Sequence, residues 1–567
     1  MDIFRTNKTN DEKKFDYWKV KRIYESSPVV ASPITFKYVA GTISEHRAAS
    51  PNLRIPFCLQ LRECTSIVEP KIGASANLND EWDAALPYKC IPGPSQWALI
   101  RGFLPGGRYH ELPIVDMHRA MRTDYGDIVR IPGFMGRADT LLTFKPEIFE
   151  KVFRTEGPFP QRRGLETFIY YRKKVRPEIF ADTGGLLTEH GEKWLDVRSK
   201  VNPVMLQPKI VKMYIEKVDQ VAIEFIDKIK QIRNEHTFEM TNNFGHDMNC
   251  WALESIGVIA LDQRLGLLQD SQHTQARSII NSVKEFFVLA YELDVALSFW
   301  KYYKTPKFYK LMNIFDQMTE IIMFYVDNAV KRLEKQGRLE SDANDRSVLE
   351  KLLLIDRRIA IVMAFDMLLA GVDTTSASLV NCLYHLAKNP DKQKILRKEV
   401  LKCLASKSSK LSNDSLNSMP YMRACLKETL RLNAVVAGNA RQAGRDIVLD
   451  GYRIPKGTEV AMASVVLQND AEYFPLTDQF IPERWIKGDP LFDESKMHGN
   501  NPFVYLPFGF GPRSCIGRRF AEMEIFILLT RIIREFNVEY NYGPLKYKTS
   551  IVLSPQEDLK FKFTDID

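Results

Sequence analysis

Residues 508–517, Phe-Gly-Phe-Gly-Pro-Arg-Ser-Cys-Ile-Gly, constrain this chain more than any other stretch. One cysteine, Cys515, sits in a glycine-rich loop, and a helix-like run over 518–536 begins almost at once. Helix N-termini carry partial positive charge and unpaired N–H groups. A cysteine placed there is favoured as thiolate, the form that ligates metal. Gly509, Gly511 and Gly517 let the backbone bend toward the sulfur without Cβ clashes, so N–H groups can point at it. Pro512 stiffens the bend. Arg513 is placed to meet an anion beside a bound metal. A lone cysteine is more often a small buried hydrophobe. Zinc fits poorly, because no Cys-x-x-Cys lies near.

The ten residues match the pattern F-G-x-G-x-R-x-C-x-G position for position. The stretch resembles the haem-binding loop of cytochrome P450. That resemblance implies that Cys515 is the proximal thiolate of haem b (iron protoporphyrin IX), with Phe508, Arg513 and Gly517 as cofactor-binding positions. A thiolate ligand pushes electron density onto iron and favours O–O cleavage.

Other motifs fall where the resemblance requires them. Trp194 and Arg198 are four apart, so a helix puts both on one face. They match the family's W-x-x-x-R helix, in which both groups reach a haem propionate. Arginine suits that role because its planar fork binds carboxylate bidentately. Arg441 sits where the family places another propionate-binding arginine. In the run 370–375, Ala-Gly-Val-Asp-Thr-Thr, a glycine and two threonines interrupt an apolar helix. These are poor helix formers, and such a breach of local preference points to a functional site or a kink. Thr374 can bond the carbonyl of Ala370 and open the helix there. The run matches the family's A-G-x-D-T-T motif, which implies that Thr374 and Asp373 manage protons at bound oxygen. Glu428 and Arg431 match the family's E-x-x-R, and 482–485, Pro-Glu-Arg-Trp, matches the motif whose arginine, here Arg484, completes a buried triad. The family often has proline where this chain has Ala434, which implies a local loop difference.

The chain has 567 residues, 26% charged and 45% hydrophobic, with a formal net charge of +8. This is ordinary globular composition and does not by itself suggest nucleic acid. The eight cysteines are irregularly spaced, with no disulfide framework, which suggests a reducing compartment. Cys382 and Cys425 fall in apolar helical patterns and read as core. No apolar run of about 18 residues suggests a membrane span. Residues 1–28 are polar and read as a disordered extension. Residues 29–80 carry Arg47, Arg54 and Arg62 with few acids, the composition of a mitochondrial transit segment. The proline-rich stretch at 88–94 opens the catalytic domain, 88–567. Helix-like periodicity predicts helices over 113–125, 209–233, 240–261, 274–293, 310–336 and 347–388, with strands over 127–131 and 140–144. The expected fold is mainly α with small β-sheets: one haem-thiolate domain of the P450 type.

Arg423 and Lys427 share a helix face. They coincide with the basic pair that mitochondrial P450s present to an adrenodoxin-like ferredoxin, and Arg518-Arg519 is also typical of that class. The closest resemblance is to insect mitochondrial P450s, which places the protein peripherally on the matrix side of the inner membrane. Between Phe299 and Tyr309, aromatics interleave with lysines, a composition suited to a membrane interface near the substrate entry. The resemblance implies a monooxygenase taking O2, ferredoxin electrons and a lipophilic steroid or xenobiotic, whose pocket is lined from 160–182, 285–310 and the residues after Arg431. Two alternatives stand beside it: a haem-thiolate isomerase or dehydratase needing no electron donor, and a non-catalytic haem or lipid binder. The intact Asp373-Thr374 pair and the basic face argue for the first reading.

Overall fold

The framework is a set of long helices with one four-stranded sheet and two two-stranded sheets. The computed structural model describes residues 78–566 apart from 135, 181–182, 241–243, 270–273, 297, 339–344, 489–500, 548–549 and 557. The polar extension 1–28 lies outside the described residues, as does the leader 29–80 except for its last three, which open the helix Leu78–Ala84.

The principal helices are α1 (Gln96–Phe103), α2 (Ile114–Tyr125), α3 (Gly191–Met205), α4 (Ile215–Ile232), α5 (Phe244–Ala260), α6 (Thr274–Ala290), α7 (Pro306–Lys335), α8 (Val348–Ile355), α9 (Arg357–Lys388), α10 (Pro390–Cys403), α11 (Pro420–Leu432) and α12 (Arg518–Glu535). Their local chemistry explains where they depart from the expected bounds. The run 347–388 is two helices. Asp356 leaves helical geometry and its carboxylate accepts the Arg358 N–H at 2.6 Å, so it caps α9 just where α8 ends. Ser347 and Glu350 form a capping box at the start of α8. Helix α7 begins at Pro306, earlier than 310. Thr305 caps it, and proline is well suited to the first helical position. The run 209–233 is broken between Lys212 and Ile215.

Four strands form the main sheet in the order β1-β2-β6-β3: Ile128–Ile131, Thr140–Thr143, Glu459–Met462 and Asn439–Gln442. The β1–β2 hairpin is antiparallel, with Ile128 opposite Thr143; β2 runs parallel to β6. Strands β4 (Ile447–Leu449) and β5 (Tyr452–Ile454) join through Asp450-Gly451, both at positive φ, the two-residue turn that matches strand twist. Strands β7 (Phe536–Glu539) and β8 (Lys562–Asp565) pair near the C-terminus.

Two apolar clusters hold this together. The larger fills the helical body and surrounds α9; the smaller joins the main sheet to α1, α2 and Phe503–Leu506, just ahead of the cysteine loop. Helix α9 is long and apolar enough to cross a membrane by length and composition, contrary to the expectation that no such run exists. Its most apolar window is 83% buried, so it is a core helix. Cys382 and Cys425 are fully buried, as expected. Among the described cysteines, 250, 382, 403, 425 and 515 are free. Cys90 is the described cysteine that is not free.

Candidate active site

The cysteine loop closes on itself. The Cys515 N–H donates to the Phe508 carbonyl at 2.9 Å, and the Ser514 N–H to Gly511 at 3.0 Å. Gly509 and Gly511 have φ of +71° and +72°, a region that side chains rarely adopt. A Cβ on Gly511 would also lie 2.7 Å from Glu156 Oε1. The N–H groups of Gly517 and Arg518, at the start of α12, face the sulfur. They favour thiolate, as do the guanidiniums of Arg198 and Arg518, yet burial is the larger effect and pushes the thiol up. Cys515 nonetheless has accessible surface. Both observations fit a sulfur that lines an internal space, where a metal's own charge would complete the deprotonation.

Arg198, Arg162 and Arg518 act on this sulfur, and Arg441 and Arg513 hold the loop that carries it. Arg198, on α3, donates from Nη2 to the Ser514 carbonyl at 3.0 Å, and its buried Nε has no partner. Burial lowers its pKa to about 10. Arg441, on β3, pairs with Glu156 at 2.5 Å and donates to the Phe510 carbonyl at 3.1 Å. Arg513 donates to the carbonyls of Pro160 (3.0 Å), Leu186 (3.1 Å) and Glu189 (2.8 Å) and stacks over Trp194 at 4.0 Å. Burial, then Arg162, Arg441 and Arg198, lower its pKa to about 9. Three of the Arg513 donors thus staple the cysteine loop to the segment before α3. Arg162 is a further cation, and sequence reasoning missed it. Burial and Arg441 depress its pKa, while Cys515 and Asp366 act the other way. Nothing in Pro160-Gln161-Arg162-Arg163 distinguishes it locally. The Gln442 N–H bond to the Gln161 carbonyl, 2.8 Å, brings it beside β3.

Glu156 is the carboxylate paired within this group, so positive charge is in excess. Arginine does not escape by losing its proton. A dianionic group is what the arrangement lacks, and haem, with two propionates and a metal for the thiolate, fits it. Cys515 would hold the iron; Arg198, Arg162 and Trp194 would face the propionates.

Helix α9 passes the same region. Arg513 holds the Leu186 carbonyl, and the Leu186 N–H donates to Asp366 on α9 at 3.1 Å. Asp366 also pairs with the fully buried Arg172 at 2.6 Å. Along α9, Ala370, Gly371 and Thr374 keep some exposure while their neighbours are buried. Those three share one face. Thr374 Oγ1 donates to the Ala370 carbonyl at 2.6 Å, the expected back-bond, and the Thr374 carbonyl accepts from Ser378 at 2.7 Å. A Cβ on Gly371 would press on Ile256 at 3.1 Å, so the glycine lets α5 approach. Asp373 turns the other way: it is buried, and its Oδ1 accepts from Asn249 Nδ2 on α5 at 3.0 Å.

Beneath the loop lies the predicted triad. Glu428 accepts from Arg431 at 2.8 and 3.0 Å and from Arg484 at 3.0 Å. The structure adds the Trp485 indole N–H at 2.8 Å and the Ile481 N–H at 3.1 Å. The remaining Arg431 donors go to carbonyls of Gln468, Thr477 and Gln479. On the outer side of α11, Lys427 is exposed and lies over the Trp485 ring, 5.5 Å away. Burial and then Arg518 lower its pKa. Arg423 is less available: it donates to the carbonyls of Leu416 and Asn417 at 3.0 and 2.9 Å.

Comparison with known proteins agrees with this geometry. The family model for cytochrome P450 matches residues 92–563. The chain is 43% identical over 486 residues to cytochrome P450 12b1, mitochondrial, of Drosophila acanthoptera, covering 85% of this chain and 91% of that one. It is 43% identical over 499 residues to cytochrome P450 CYP12A2 of Musca domestica (86% and 93%). It is 41% identical over 497 residues to a probable cytochrome P450 12b2, mitochondrial, of Drosophila melanogaster (87% and 92%). Its glycine-turned cysteine loop, its arginine-rich surroundings and a match over most of its length make this chain a member of the cytochrome P450 family, a haem-thiolate monooxygenase.

Proposed function

We propose that the chain inserts one oxygen atom of O2 into a lipophilic small molecule, a steroid or xenobiotic, in mitochondria, with electrons from an acidic ferredoxin. The observation that carries this reading is Cys515, faced by two backbone N–H groups and acted on by Arg198, Arg162 and Arg518, with Arg441 beyond them paired to Glu156. Bound haem b would supply O2 activation and oxygen transfer. The chain's part is to hold the thiolate, neutralise the propionates and deliver protons. One oxygen atom enters the substrate; the other leaves as water with two electrons and two protons. The relatives' names carry the mitochondrial reading; inner-membrane attachment on the matrix side is part of the proposal, and the exposed aromatics described below support a membrane contact as such.

Thr374 is the group on α9 best placed for proton delivery. Its hydroxyl proton is engaged with Ala370, so its oxygen lone pairs face the partly exposed side. To donate toward its partly exposed side it must release the Ala370 carbonyl. Thr374→Ala is expected to fold and bind haem normally but to release hydrogen peroxide in place of most of the product. Removing a positioned proton donor costs about 10²–10⁴-fold in rate. Product formed per electron consumed is the measurement, and an unchanged ratio would remove Thr374 from the mechanism.

Lys427, Arg518 and Arg519 are exposed near the start of α12 and form the proposed ferredoxin face, with Arg423 at its edge. Such a patch steers an acidic partner, and salt weakens it. Lys427→Glu should raise the ferredoxin concentration for half-maximal turnover several-fold at low salt, with an unchanged CO spectrum and unchanged peroxide-supported activity. Arg423→Glu would also strip hydrogen bonds from the preceding turn, so it confounds docking with stability. Unaltered ferredoxin dependence in Lys427→Glu would sink this face.

The membrane contact is proposed for 299–309. Phe299, Tyr302, Tyr303 and Tyr309 are 52–71% exposed. Trp300 and Phe308 turn inward with Tyr170 and enclose Lys304, whose ammonium is 4.4–4.6 Å from the three ring centres. The inward rings anchor the loop, and the outward rings remain for the interface.

A further inference from the structure

Asp373 does not sit free beside Thr374. Asn249 lies on α5 and is 5% exposed; Asp373 is 6% exposed and Ser376 4%. The Asn249 amide bridges the other two: Nδ2 donates to Asp373 Oδ1 at 3.0 Å, and Oδ1 accepts from Ser376 Oγ at 2.5 Å. Ser376 Oγ is also 3.3 Å from the Asp373 carbonyl. The carboxylate needs a donor, so the amide is oriented with its NH2 toward Asp373. One helix turn thus presents a carboxylate and a hydroxyl to opposite ends of one amide. The bridge joins two packed helices, because the absent side chain of Gly371 lets Ile256 come close.

We propose that Asn249 is a positioning residue for proton supply: its amide holds the Asp373 carboxylate on the α5 side of α9 and sets how readily that carboxylate takes up and gives up a proton. This rests on the reading of Asp373 and Thr374 as the proton-managing pair. An amide neither gains nor loses a proton near neutral pH, so Asn249 is not itself a relay. A hydrogen bond donated to the charged form favours that form. Asn249 therefore favours the charged form of Asp373. Delivery requires Asp373 to gain one proton from solvent and pass it toward the Thr374 side. The carboxylate left behind is the one Asn249 already faces, and no electron changes hands. Among the described residues, the charged and titratable groups around this end of α5 include His246, Asp247 and Cys250 on α5 itself, Lys228 from α4, and Arg277 and Lys284 from α6. Asn249 and Ser376 contact Asp373 directly.

The test is Asn249→Leu, close in shape but without the amide, with Ser376→Ala as a second variant that frees the amide to turn. Each is compared with the parent and with Asp373→Asn, all as haem-loaded enzyme. Coupling, the product formed per electron, is measured against pH together with the solvent isotope effect. Infrared difference spectra against Asp373→Asn follow the carboxyl band of Asp373. Loss of one hydrogen bond to a charged group should move the alkaline limb of coupling, and the titration of that band, upward by about one pH unit in Asn249→Leu. A smaller shift in the same direction is expected in Ser376→Ala. If Asp373→Asn alters coupling but neither of the other variants moves the pH profile or the band, the inference about Asn249 is wrong. If Asp373→Asn itself changes nothing, the proton-managing reading fails first. Should Asn249→Leu not load haem, Ser376→Ala decides on the same criteria.

Discussion

Glu428→Gln is expected to yield protein that does not retain haem and that melts far below the parent. Glu428 is fully buried and accepts five hydrogen bonds: two from Arg431, one each from Arg484 and the Trp485 indole, and one from the Ile481 N–H. Glutamine keeps the shape but turns an NH2 toward groups that are all donors. Two buried guanidiniums would be left facing one neutral amide. Breaking a buried pair on one side costs about 3–5 kcal/mol, because the other charge stays buried. Total stability for a domain is about 5–15 kcal/mol, so this single change removes a large share of it. The exposed pair Lys200–Asp196 on α3, 2.7 Å apart with each side chain about half exposed, is the control. Asp196→Ala should change stability by no more than about 0.5 kcal/mol. Thermal melts and the CO difference spectrum of both variants check the contrast. A Glu428→Gln protein with a normal melt and full haem content would mean that the cluster is not a scaffold for the loop.

The same cluster shows how far the sequence could be read. The i,i+3 pair and the Pro-Glu-Arg-Trp motif predicted Glu428, Arg431 and Arg484 correctly, because helix spacing is local information. The indole of Trp485 and the N–H of Ile481 were not predicted, since their place depends on how the irregular segment before Pro482 folds back. The carbonyl partners of Arg513 were not legible either, and at longer range. They lie more than three hundred residues earlier, and they use donors that the motif alone leaves open. Glu156 and Arg162 carry no motif; only the tertiary fold makes them neighbours of Arg441 and Cys515. Asp373 and Thr374 are neighbours in the helix-breaking run, yet adjacent residues on a helix point about 100° apart. One therefore faces the partly exposed side while the other faces Asn249. Helix existence was legible from periodicity, whereas the break at Asp356 depended on a capping side chain inside an otherwise continuous apolar pattern. The apolar run of α9 was overlooked in the sequence; it is apolar because protein surrounds it.

Cys515→His should separate two functions that the site combines. The N–H groups of Gly517 and Arg518 are arranged for an anion at the sulfur, and a neutral imidazole gives them none. The arginines are untouched, so haem should still bind through its propionates and the protein should still fold. The red-shifted CO band of a thiolate-ligated haem should vanish, and with it monooxygenase turnover, because the electron push onto iron comes from the thiolate. Arg198→Ala is the complementary change. Its guanidinium has one bond to the Ser514 carbonyl and an unpartnered Nε, so its loss disturbs little of the protein's own bonding. A hydrogen bond to a charged group contributes about 1.5–3 kcal/mol. Haem retention should fall by about 10- to 100-fold while the residual holoprotein keeps the red-shifted band. The two variants thus predict opposite patterns: haem without the band, and the band with less haem. If Cys515→His kept the red-shifted band, another residue would be the ligand and the reading of the loop would fail. If Arg198→Ala retained haem as tightly as the parent, the excess positive charge around Cys515 would have some other purpose than neutralising the propionates.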